Sequence, residues 1–233
     1  MTGHRFAFKD RRDAGRRLAL ALGHHASSHP LVLALPRGGV PVAYEVARAL
    51  DAELDLLFVR KLGAPGYEEL GIGAVVDGAE PQLVLNEAVV RQLAPSPNYI
   101  RAEMHRQLAE IARRRRAYLG NMEPIPVDRR TIVLVDDGIA TGGTAKAALK
   151  GLRKAHAGRI ILAVPVAPAA SVAELRSECD ELVCLDQPDP FFAVGAHYAM
   201  FDQTSDEEVV RLLEDARKLH AISLRDAHAP KGR

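Results

Sequence analysis

The sequence TIVLVDDGIATGGT, residues 131–144, limits the possible folds of the chain more than any other stretch. Its first five residues are β-branched or apolar with no polar alternation, which is typical of a strand buried on both faces in a parallel sheet. Asp136 and Asp137 follow at the expected strand end, and after a glycine-rich loop the sequence AKAALKGLRKA has high helix propensity. This order predicts an α/β fold, a doubly wound and mostly parallel sheet with its ligand at the carboxyl ends of the strands.

The loop after this strand has the residue types of an anion site beside two carboxylates. Its backbone N–H groups and those of the helix start can surround a phosphate, and the Thr141 and Thr144 hydroxyls can donate further hydrogen bonds. Two carboxylates so close would repel a phosphate unless they bind something else. Sugar hydroxyls and Mg²⁺ are the natural partners, since hard cations take oxygen ligands. The alternative is an ordinary turn in which Asp136 and Asp137 are solvated.

A second stretch repeats the order of strand, glycine turn and helix with the opposite charge. Leu31 to Leu35 is a buried-strand candidate, and Pro36-Arg37-Gly38-Gly39 leads into the helical sequence VAYEVARALDA. Adjacent glycines allow backbone amides to face a ligand, and Arg37 can form paired hydrogen bonds to phosphate oxygens. By itself this motif also fits a plain turn, so it supports an anion site only in combination with the first motif.

Two basic residues, Arg60 and Lys61, end a third predicted strand, Glu53 to Val59. The next fourteen residues, LGAPGYEELGIGAV, contain five glycines and prolines, which predicts a mobile surface loop. Within and after this loop, residues 71–76 and 81–85 are candidate arms of a hairpin. The alternative is a disordered hairpin whose two cations only keep the strand end soluble.

Apolar spacing and capping residues predict the other elements. Asp10 is a candidate N-cap for a first helix that ends at Gly23. The further predicted elements are helices at 97–119, 171–178 and 206–218 and strands at 159–166 and 181–185, with a tail from about residue 226.

Two groups of titratable residues lie outside these motifs. His24, His25 and His29 follow the first helix, but no carboxylate or cysteine stands at ligand spacing, so a surface loop is favoured over a metal site. The run Arg113 to Arg116 ends the long helix, where cations suit the helix dipole. We interpret this run as a solvated face, with a phosphate-rich partner such as RNA as the alternative.

The composition argues against several classes of protein. With 233 residues and a net charge near +1, the chain suits one domain, residues 1–225, and gives no support for a DNA-binding or membrane-binding surface. No apolar run has the length of a membrane span. Cys179 and Cys184 show no CxxC spacing and there is no secretory leader, which predicts a reduced, cytoplasmic protein. A homodimer is left open.

Residues 131–144 closely resemble the 5-phosphoribosyl-1-diphosphate (PRPP) signature of the type I phosphoribosyltransferases: an apolar strand, two acidic residues, three residues and T-G-x-T. The resemblance covers about residues 5–220 and implies an enzyme that uses PRPP and Mg²⁺ to ribosylate a nitrogenous base, releasing pyrophosphate. Asp136 and Asp137 would then bind the ribose hydroxyls and the metal. The 5-phosphate would be bound by Gly138, Ile139, Ala140, Thr141, Gly142, Gly143 and Thr144.

The other two motifs resemble further parts of the same family. The turn PRGG matches the loop that binds pyrophosphate, which implies this role for Arg37, Gly38 and Gly39. The order R-K, P-G and E after the third strand resembles the adenine and orotate branches, in which a flexible basic loop closes over the active site. Arg60 and Lys61 would then be catalytic.

The resemblance also implies a small hood, formed from about residues 1–30 and 188–203. The run P-D-P-F-F-A-V-G resembles one in the purine-salvage branch whose aromatic ring stacks on the base, which implies stacking for Phe191 or Phe192, with Phe192 in the matching place. Three positions depart from the hypoxanthine–guanine branch, which has an aspartate, a lysine and an aspartate there. They are Ala140, the strand end Val164-Pro165-Val166, and Ala199. A 6-oxopurine acceptor is therefore disfavoured, and the acceptor is otherwise open.

Two other classes of protein compete with the enzyme. Some family members bind PRPP as a regulatory signal without catalysis. A sensor needs no lid, so the cations at the start of the third loop favour the enzyme. A doubly wound phosphatase or receiver with Asp136 as phospho-acceptor is disfavoured by the T-G-G-T loop, since a receiver needs no phosphate-binding loop in that turn.

Overall fold

Eight strands and seven α-helices form the part of the chain that the computed structural model describes, residues 7–228 without the side chains of Glu69 and residues 226–228. The strands are β1 (Leu31–Ala34), β2 (Glu53–Leu56), β3 (Val59–Ala64), β4 (Tyr67–Val76), β5 (Gln82–Leu85), β6 (Thr131–Val135), β7 (Arg159–Val166) and β8 (Glu181–Asp186). The helices are α1 (Arg11–Leu22), α2 (Gly39–Leu50), α3 (Glu87–Leu93), α4 (Pro97–Leu119), α5 (Gly143–Lys154), α6 (Ala169–Leu175) and α7 (Asp206–His228).

Five parallel strands form the main sheet, in the order β2-β1-β6-β7-β8. Successive residues of its central strands enter different hydrophobic clusters. Val32 and Val133 pack with residues of α1, α2, α4 and α7, whereas Leu33 and Leu134 pack with residues of α5 and α6. The sheet is therefore buried on both faces, which explains the continuous apolar runs and confirms the predicted doubly wound fold.

The order of strands reverses between β1 and β6. The chain passes from β1 outward to β2 on one side, and from β6 outward to β7 and β8 on the other. In open α/β sheets, ligands bind outside the carboxyl ends of the strands at such a reversal. Both glycine turns identified in the sequence follow these two strands, so the topology brings them to one place.

Capping residues fix the helix ends that the sequence predicts. The Asp10 carboxylate accepts the backbone N–H of Asp13 at 2.7 Å and begins α1. Ser96 caps α4 in the same way, with Pro97 at its first position, where proline's missing N–H is not needed. The predicted bounds of α4 are confirmed. The predicted strands at 159–166 and 181–185 correspond to β7 and β8.

The segment predicted as an irregular loop is instead a small antiparallel sheet. β3 pairs with β4 around the turn at Pro65 and Gly66, and β4 pairs with β5. The predicted hairpin arms at 71–76 and 81–85 are thus the end of β4 and β5. The prediction of a loop is wrong because the glycines and prolines, which favour turns, alternate with apolar residues, and two of these, Ile72 and Val75, are buried in the main core. Arg60 and Lys61 consequently lie inside β3 rather than after a strand.

The basic run at the end of α4 is not a uniform solvated face. The buried Arg115 contacts Asp55 of β2 at 2.7 Å and Asp77, just after β4, at 3.0 Å. Arg113 and Arg114 are exposed and pair with Glu110. The interpretation from sequence is wrong for Arg115 because its acidic partners belong to other elements.

The last helix is longer than predicted. α7 continues to His228, well beyond the predicted end at residue 218, so the predicted tail begins inside a helix. Residues 229–233 lie outside the described residues. Within residues 7–228, no helix combines the length and the apolar character that a membrane crossing requires.

Two distant segments meet above the sheet. Phe8 forms a parallel bridge with Tyr198, and its N–H donates to the carbonyl of His197 at 3.0 Å. The rings of Phe8 and Tyr198 lie 5.4 Å apart in a small cluster with Val166 of β7. These contacts join parts of the two segments, 1–30 and 188–203, from which the sequence predicts a hood; residues 1–6 lie outside the described residues.

Candidate active site

The two glycine turns meet at the strand reversal. The Leu35 N–H donates to the carbonyl of Val135 at 2.9 Å, so the turn after β1 starts beside the acidic pair. This turn passes through a cis peptide bond between Pro36 and Arg37. A Cβ atom at Gly38 would overlap the carboxylate of Asp137, so a glycine is needed for this close approach. The predicted pyrophosphate loop and the predicted ribose-binding acids therefore lie in direct contact.

The acidic pair is held by an arginine from α1. The Arg11 Nε donates to Asp137 Oδ2 at 2.8 Å, and the two side chains are only 12% and 15% exposed. The Arg11 guanidinium also lies over the ring of Phe201, 3.8 Å from its centroid. Asp136 Oδ1 accepts the N–H of Asp137 at 2.9 Å. Because this ion pair is shielded from water, it fixes the Asp137 carboxylate more firmly than a surface pair would.

The electrostatics of the pair favour protonation in the free protein. Burial raises the pKa of Asp136 well above its ordinary value, and the charge of Asp137 raises it further. Burial also raises the pKa of Asp137, although the hydrogen bond and charge of Arg11 oppose this shift. A ligand that brings hydroxyl donors or a cation would relieve the repulsion, whereas an anion would increase it. The pair is therefore suited to a sugar diol or a hard cation.

The predicted phosphate loop presents free donors at the start of α5. Gly142, with φ 77°, is in the left-handed region and begins this helix, and no side chain of the described residues caps it. The first N–H groups of a helix have no intrahelical acceptor, so they remain for a ligand. Thr141 and Thr144 are exposed here. The Ser171 hydroxyl donates to the carbonyl of Ala140 at 2.7 Å and anchors the loop to α6.

A cavity of about 760 Å³ opens beside this loop and brings in one of the two predicted catalytic cations. Its wall includes Thr141 and Thr144 of the loop and Lys61 of β3. The other charged residues in its wall are Glu87, Arg91, Lys146 and Lys150. The excess of cations suits a phosphorylated ligand.

The side chains of two other predicted basic residues contact groups outside this cavity. Neighbouring residues of a strand face opposite sides, and Arg60 Nε donates to Gln107 of α4 at 3.0 Å. Arg37 pairs with Asp206 at the start of α7, at 3.2 Å. The Arg37 and Asp206 side chains are 37% and 59% exposed, so their ion pair is weak and a pyrophosphate could replace Asp206 as the partner.

The two aromatic residues predicted to stack on a base differ in their surroundings. Phe191 stacks on His197, with ring centroids 5.4 Å apart, and packs in the small cluster of the hood segments. Phe192 is 80% exposed. The structure thus places Phe191 in packing and presents the Phe192 ring to solvent, where it could contact a planar ligand.

Sequence reasoning missed two residues of the site. One is Arg11, which nothing in the sequence distinguishes from Arg12, Arg16 or Arg17 on the same helix. The other is Tyr198, whose hydroxyl donates to the carbonyl of Asp137 at 2.5 Å. Both act on the acidic pair across long sequence separations, and the only local signal is that Tyr198 closely follows the aromatic run at 191–192.

Comparison with known proteins identifies the family to which this chain belongs. A family model described as "Phosphoribosyl transferase domain" matches residues 9–200, which include all three motifs discussed above. The chain therefore belongs to the phosphoribosyltransferase family.

Individual proteins support the same assignment. Two curated proteins of Mycobacterium tuberculosis, from strains CDC 1551 / Oshkosh and ATCC 25618 / H37Rv, are each named "Putative phosphoribosyl transferase". Each is 47% identical over 211 residues, which are 91% of this chain and 47% of the relative. The chain thus spans about half the length of these relatives. The crystal structure of TT1426 from Thermus thermophilus matches with 42% identity and a TM-score of 0.78, covering 89% of this chain and 98% of that one.

Proposed function

We propose that the protein transfers the 5-phosphoribosyl group of PRPP to a nitrogen atom of a small acceptor and releases pyrophosphate. One observation carries the proposal: the Gly38 backbone lies against the Asp137 carboxylate, beside the uncapped start of α5. Donors for two phosphate groups thus flank a pair of acids that favours a sugar. PRPP carries a phosphate, a ribose and a pyrophosphate in that order.

Each part of the site has a separate task in this reaction. The loop from Gly138 to Thr144 would bind the 5-phosphate through backbone N–H groups and hydroxyls. Asp136 and Asp137 would accept hydrogen bonds from the ribose hydroxyls and so orient the sugar. The turn Arg37 to Gly39 would bind pyrophosphate through the Arg37 guanidinium and the N–H groups of Arg37 and Gly38, because the Gly39 N–H already donates to the Leu35 carbonyl at 3.1 Å. The transition state of such a transfer is oxocarbenium-like, with charge growing on pyrophosphate, so the protein acts by positioning and charge stabilisation.

Mg²⁺ fits the chemistry of this site. The available ligands are carboxylate oxygens, joined by the hydroxyl and pyrophosphate oxygens of PRPP, and hard cations prefer such oxygen ligands. Asp136 and Asp137 would hold the ion together with the ribose. When bound, Mg²⁺ would neutralise charge on the leaving pyrophosphate. Arg11 keeps one oxygen of Asp137 engaged, so this arginine limits how the carboxylate can turn towards a ligand.

The acceptor site is proposed to lie under the hood segments. The exposed ring of Phe192 would stack on a planar base. Ala140, Ala199 and the strand end Val164 to Val166 provide no side-chain donor or acceptor for a 6-oxo group, so a 6-oxopurine is disfavoured.

The test is pyrophosphate release from PRPP across a broad panel of nitrogenous bases, with and without Mg²⁺. We expect release with at least one base, and loss of both release and tight PRPP binding in excess chelator. If PRPP binds equally well in chelator, the role given to the metal is wrong.

A second function, a PRPP sensor without catalysis, draws support from the Arg37–Asp206 pair and from the paired strands at residues 59–76, where a lid loop was predicted. Calorimetric PRPP binding combined with no pyrophosphate release from any base would favour the sensor. Turnover with any base would exclude it.

A further inference from the structure

Two histidines and a glutamate lie together at the edge of the main sheet away from the candidate active site. His24 and His25 are adjacent in a 3₁₀-helix, Gly23–Ser28, that follows α1, and Glu181 is the first residue of β8. Because the strands are parallel, Glu181 at the start of β8 lies at the amino ends of the strands. Asp136 follows β6 and lies at their carboxyl ends, on the opposite side of the sheet. The sequence alone offers the histidines no carboxylate at ligand spacing; the fold supplies one from β8.

The three side chains converge on a small volume. His25 Nε2 lies 3.0 Å from Glu181 Oε2, and His24 Nε2 lies 3.5 Å from Glu181 Oε1. One ligand atom from each residue lies within 4.8 Å of the others. Zinc binds nitrogen and oxygen ligands at about 2.0–2.2 Å, so two ligands of a tetrahedral ion are about 3.4 Å apart. The observed spacing reaches this geometry with small side-chain movements.

His25 gives an independent sign of a ligand. It is 6% exposed, and its Nε2 makes no hydrogen bond of acceptable geometry with any described residue, although Glu181 is close. Buried polar atoms nearly always have a partner. The Ser28 hydroxyl donates to the His25 carbonyl at 2.7 Å and holds the turn that aims this ring at Glu181.

The two rings and the carboxylate share one small region. The ring centroids of His24 and His25 are 3.9 Å apart, and the Nε2 atoms of both rings lie within 3.5 Å of the Glu181 carboxylate. Arg159 contacts Glu181 Oε2 at 2.9 Å and leaves Oε1 on the side of His24.

We propose that His24, His25 and Glu181 form a binding site for a divalent transition metal of the zinc class, with water completing the coordination. Two imidazoles and one carboxylate are a ligand set that suits such ions and not Mg²⁺. His24, whose side chain is 61% exposed, leaves the site open to solvent. The bound ion would join the end of α1 to the edge strand β8.

The experiment is calorimetric titration of the full chain with Zn²⁺ at about pH 7.5, followed by thermal unfolding with and without the ion. We expect one Zn²⁺ per chain, a higher unfolding temperature in its presence, and weaker binding at about pH 5.5, where protons compete for the imidazoles. His24→Ala, His25→Ala and Glu181→Gln should each lower the affinity on the order of 100-fold, since even changes to groups outside the coordination shell cost 10–100-fold.

Two matched variants control for histidines outside the cluster. His105→Ala removes an exposed helical histidine, and His29→Asn changes the third histidine of the same segment while tolerating its φ of 45°. Both should bind Zn²⁺ as the parent does. Parent-like affinity in His24→Ala and Glu181→Gln, or a Mg²⁺ affinity equal to that for Zn²⁺, would overturn the proposal. His24 is exposed, so its variant keeps the test valid even if His25→Ala fails to fold. Pyrophosphate release is a separate readout, so this result is independent of the proposed activity.

Discussion

Asp136 shows how a single residue of a candidate binding site can oppose the stability of the fold. Its carboxylate is partly buried next to a second carboxylate, and these surroundings raise its pKa. In the unfolded chain the same group would titrate near 3.8. The folded protein therefore holds this proton more tightly, so its stabilising contribution is present at low pH and is lost as the pH rises through the folded-state pKa.

Asp136→Asn should accordingly stabilise the free protein at neutral and alkaline pH. The amide oxygen can still accept the Asp137 N–H, while the charge repulsion is removed. We expect a higher unfolding temperature than the parent at pH 8, by about 2–4 °C per kcal/mol relieved, and a difference that shrinks as the pH falls towards 4. PRPP and Mg²⁺ binding should weaken in the same variant.

Asp180→Asn is the matched control with the opposite sign. Burial would raise the pKa of Asp180, but the Ile160 N–H and Arg153 lower it, so this carboxylate stabilises the fold above pH 4 and its loss should lower the unfolding temperature at pH 8. A parent-like or lower unfolding temperature for Asp136→Asn at pH 8 would contradict the electrostatic account.

The hydroxyls of the phosphate loop give a second prediction for single residues. Thr141→Ala combined with Thr144→Ala should leave the fold intact, because both side chains are exposed, and should weaken PRPP binding by about 100-fold or more. Each lost hydrogen bond to a charged group costs about 1.5–3 kcal/mol. Calorimetry measures this, with Thr131→Ala as a control at the opposite end of β6. Unchanged affinity in a folded double variant would remove the phosphate assignment.

At the scale of elements, β3 directs the side chains of its two adjacent cations, Arg60 and Lys61, to opposite faces, because successive side chains of a strand alternate. Lys61 lines the same cavity as Thr141 and Thr144, whereas Arg60 contacts Gln107 of α4. From the sequence, Arg60 and Lys61 have the same predicted role. The strand conformation gives their side chains different surroundings.

Lys61→Ala should therefore slow turnover on the order of 100-fold, as for the loss of one charge-stabilising donor. Its effect on kcat should exceed its effect on PRPP affinity if the cation stabilises charge that grows in the transition state. Arg60→Ala is the matched control, on the same strand and of the same charge, and should keep parent-like kcat. Equal losses of kcat in Lys61→Ala and Arg60→Ala would show that the side of β3 on which a cation lies does not determine its part in catalysis.

At the scale of the whole molecule, one buried ionic cluster links the two sheets. Arg115 of α4 contacts Asp55 on the main sheet and Asp77 at the end of the hairpin, and its NH1 also donates to the Leu56 carbonyl at 3.2 Å. Burial raises the pKa of Asp77, and the charge of Arg115 opposes this. The cluster fixes how the hairpin that carries Lys61 sits against the sheet.

Arg115→Ala should destabilise the protein by about 3–5 kcal/mol, because it leaves two buried aspartates without their counter-charge. Arg114→Ala removes an exposed arginine one position earlier and should change stability by no more than about 0.5 kcal/mol. Urea unfolding of the two variants decides between a buried cluster and the solvated face suggested by sequence. Similar stabilities for both would contradict the cluster.

The sequence determined the central part of this protein. The apolar runs of β1 and β6, the acidic pair and the two glycine turns are contiguous in the chain, and both strands are covered on both faces, so residue order alone indicates a doubly wound sheet with an anion site at its carboxyl edge. Those signals were readable because the strand, the turn and the helix start that form each half of the site are neighbours in sequence.

The tertiary structure decided the contacts between distant residues. Arg11 contacts Asp137, Lys61 lines the same cavity as Thr141 and Thr144, Arg115 lies between two aspartates, and Glu181 lies close to His24 and His25. Periodicity shows which face of an element is apolar but carries no information on which charged residue another element will bring to it. The hairpin at residues 59–76 was missed for a related reason: its glycines have low strand propensity, and burial of the apolar residues between them against the core outweighs that preference.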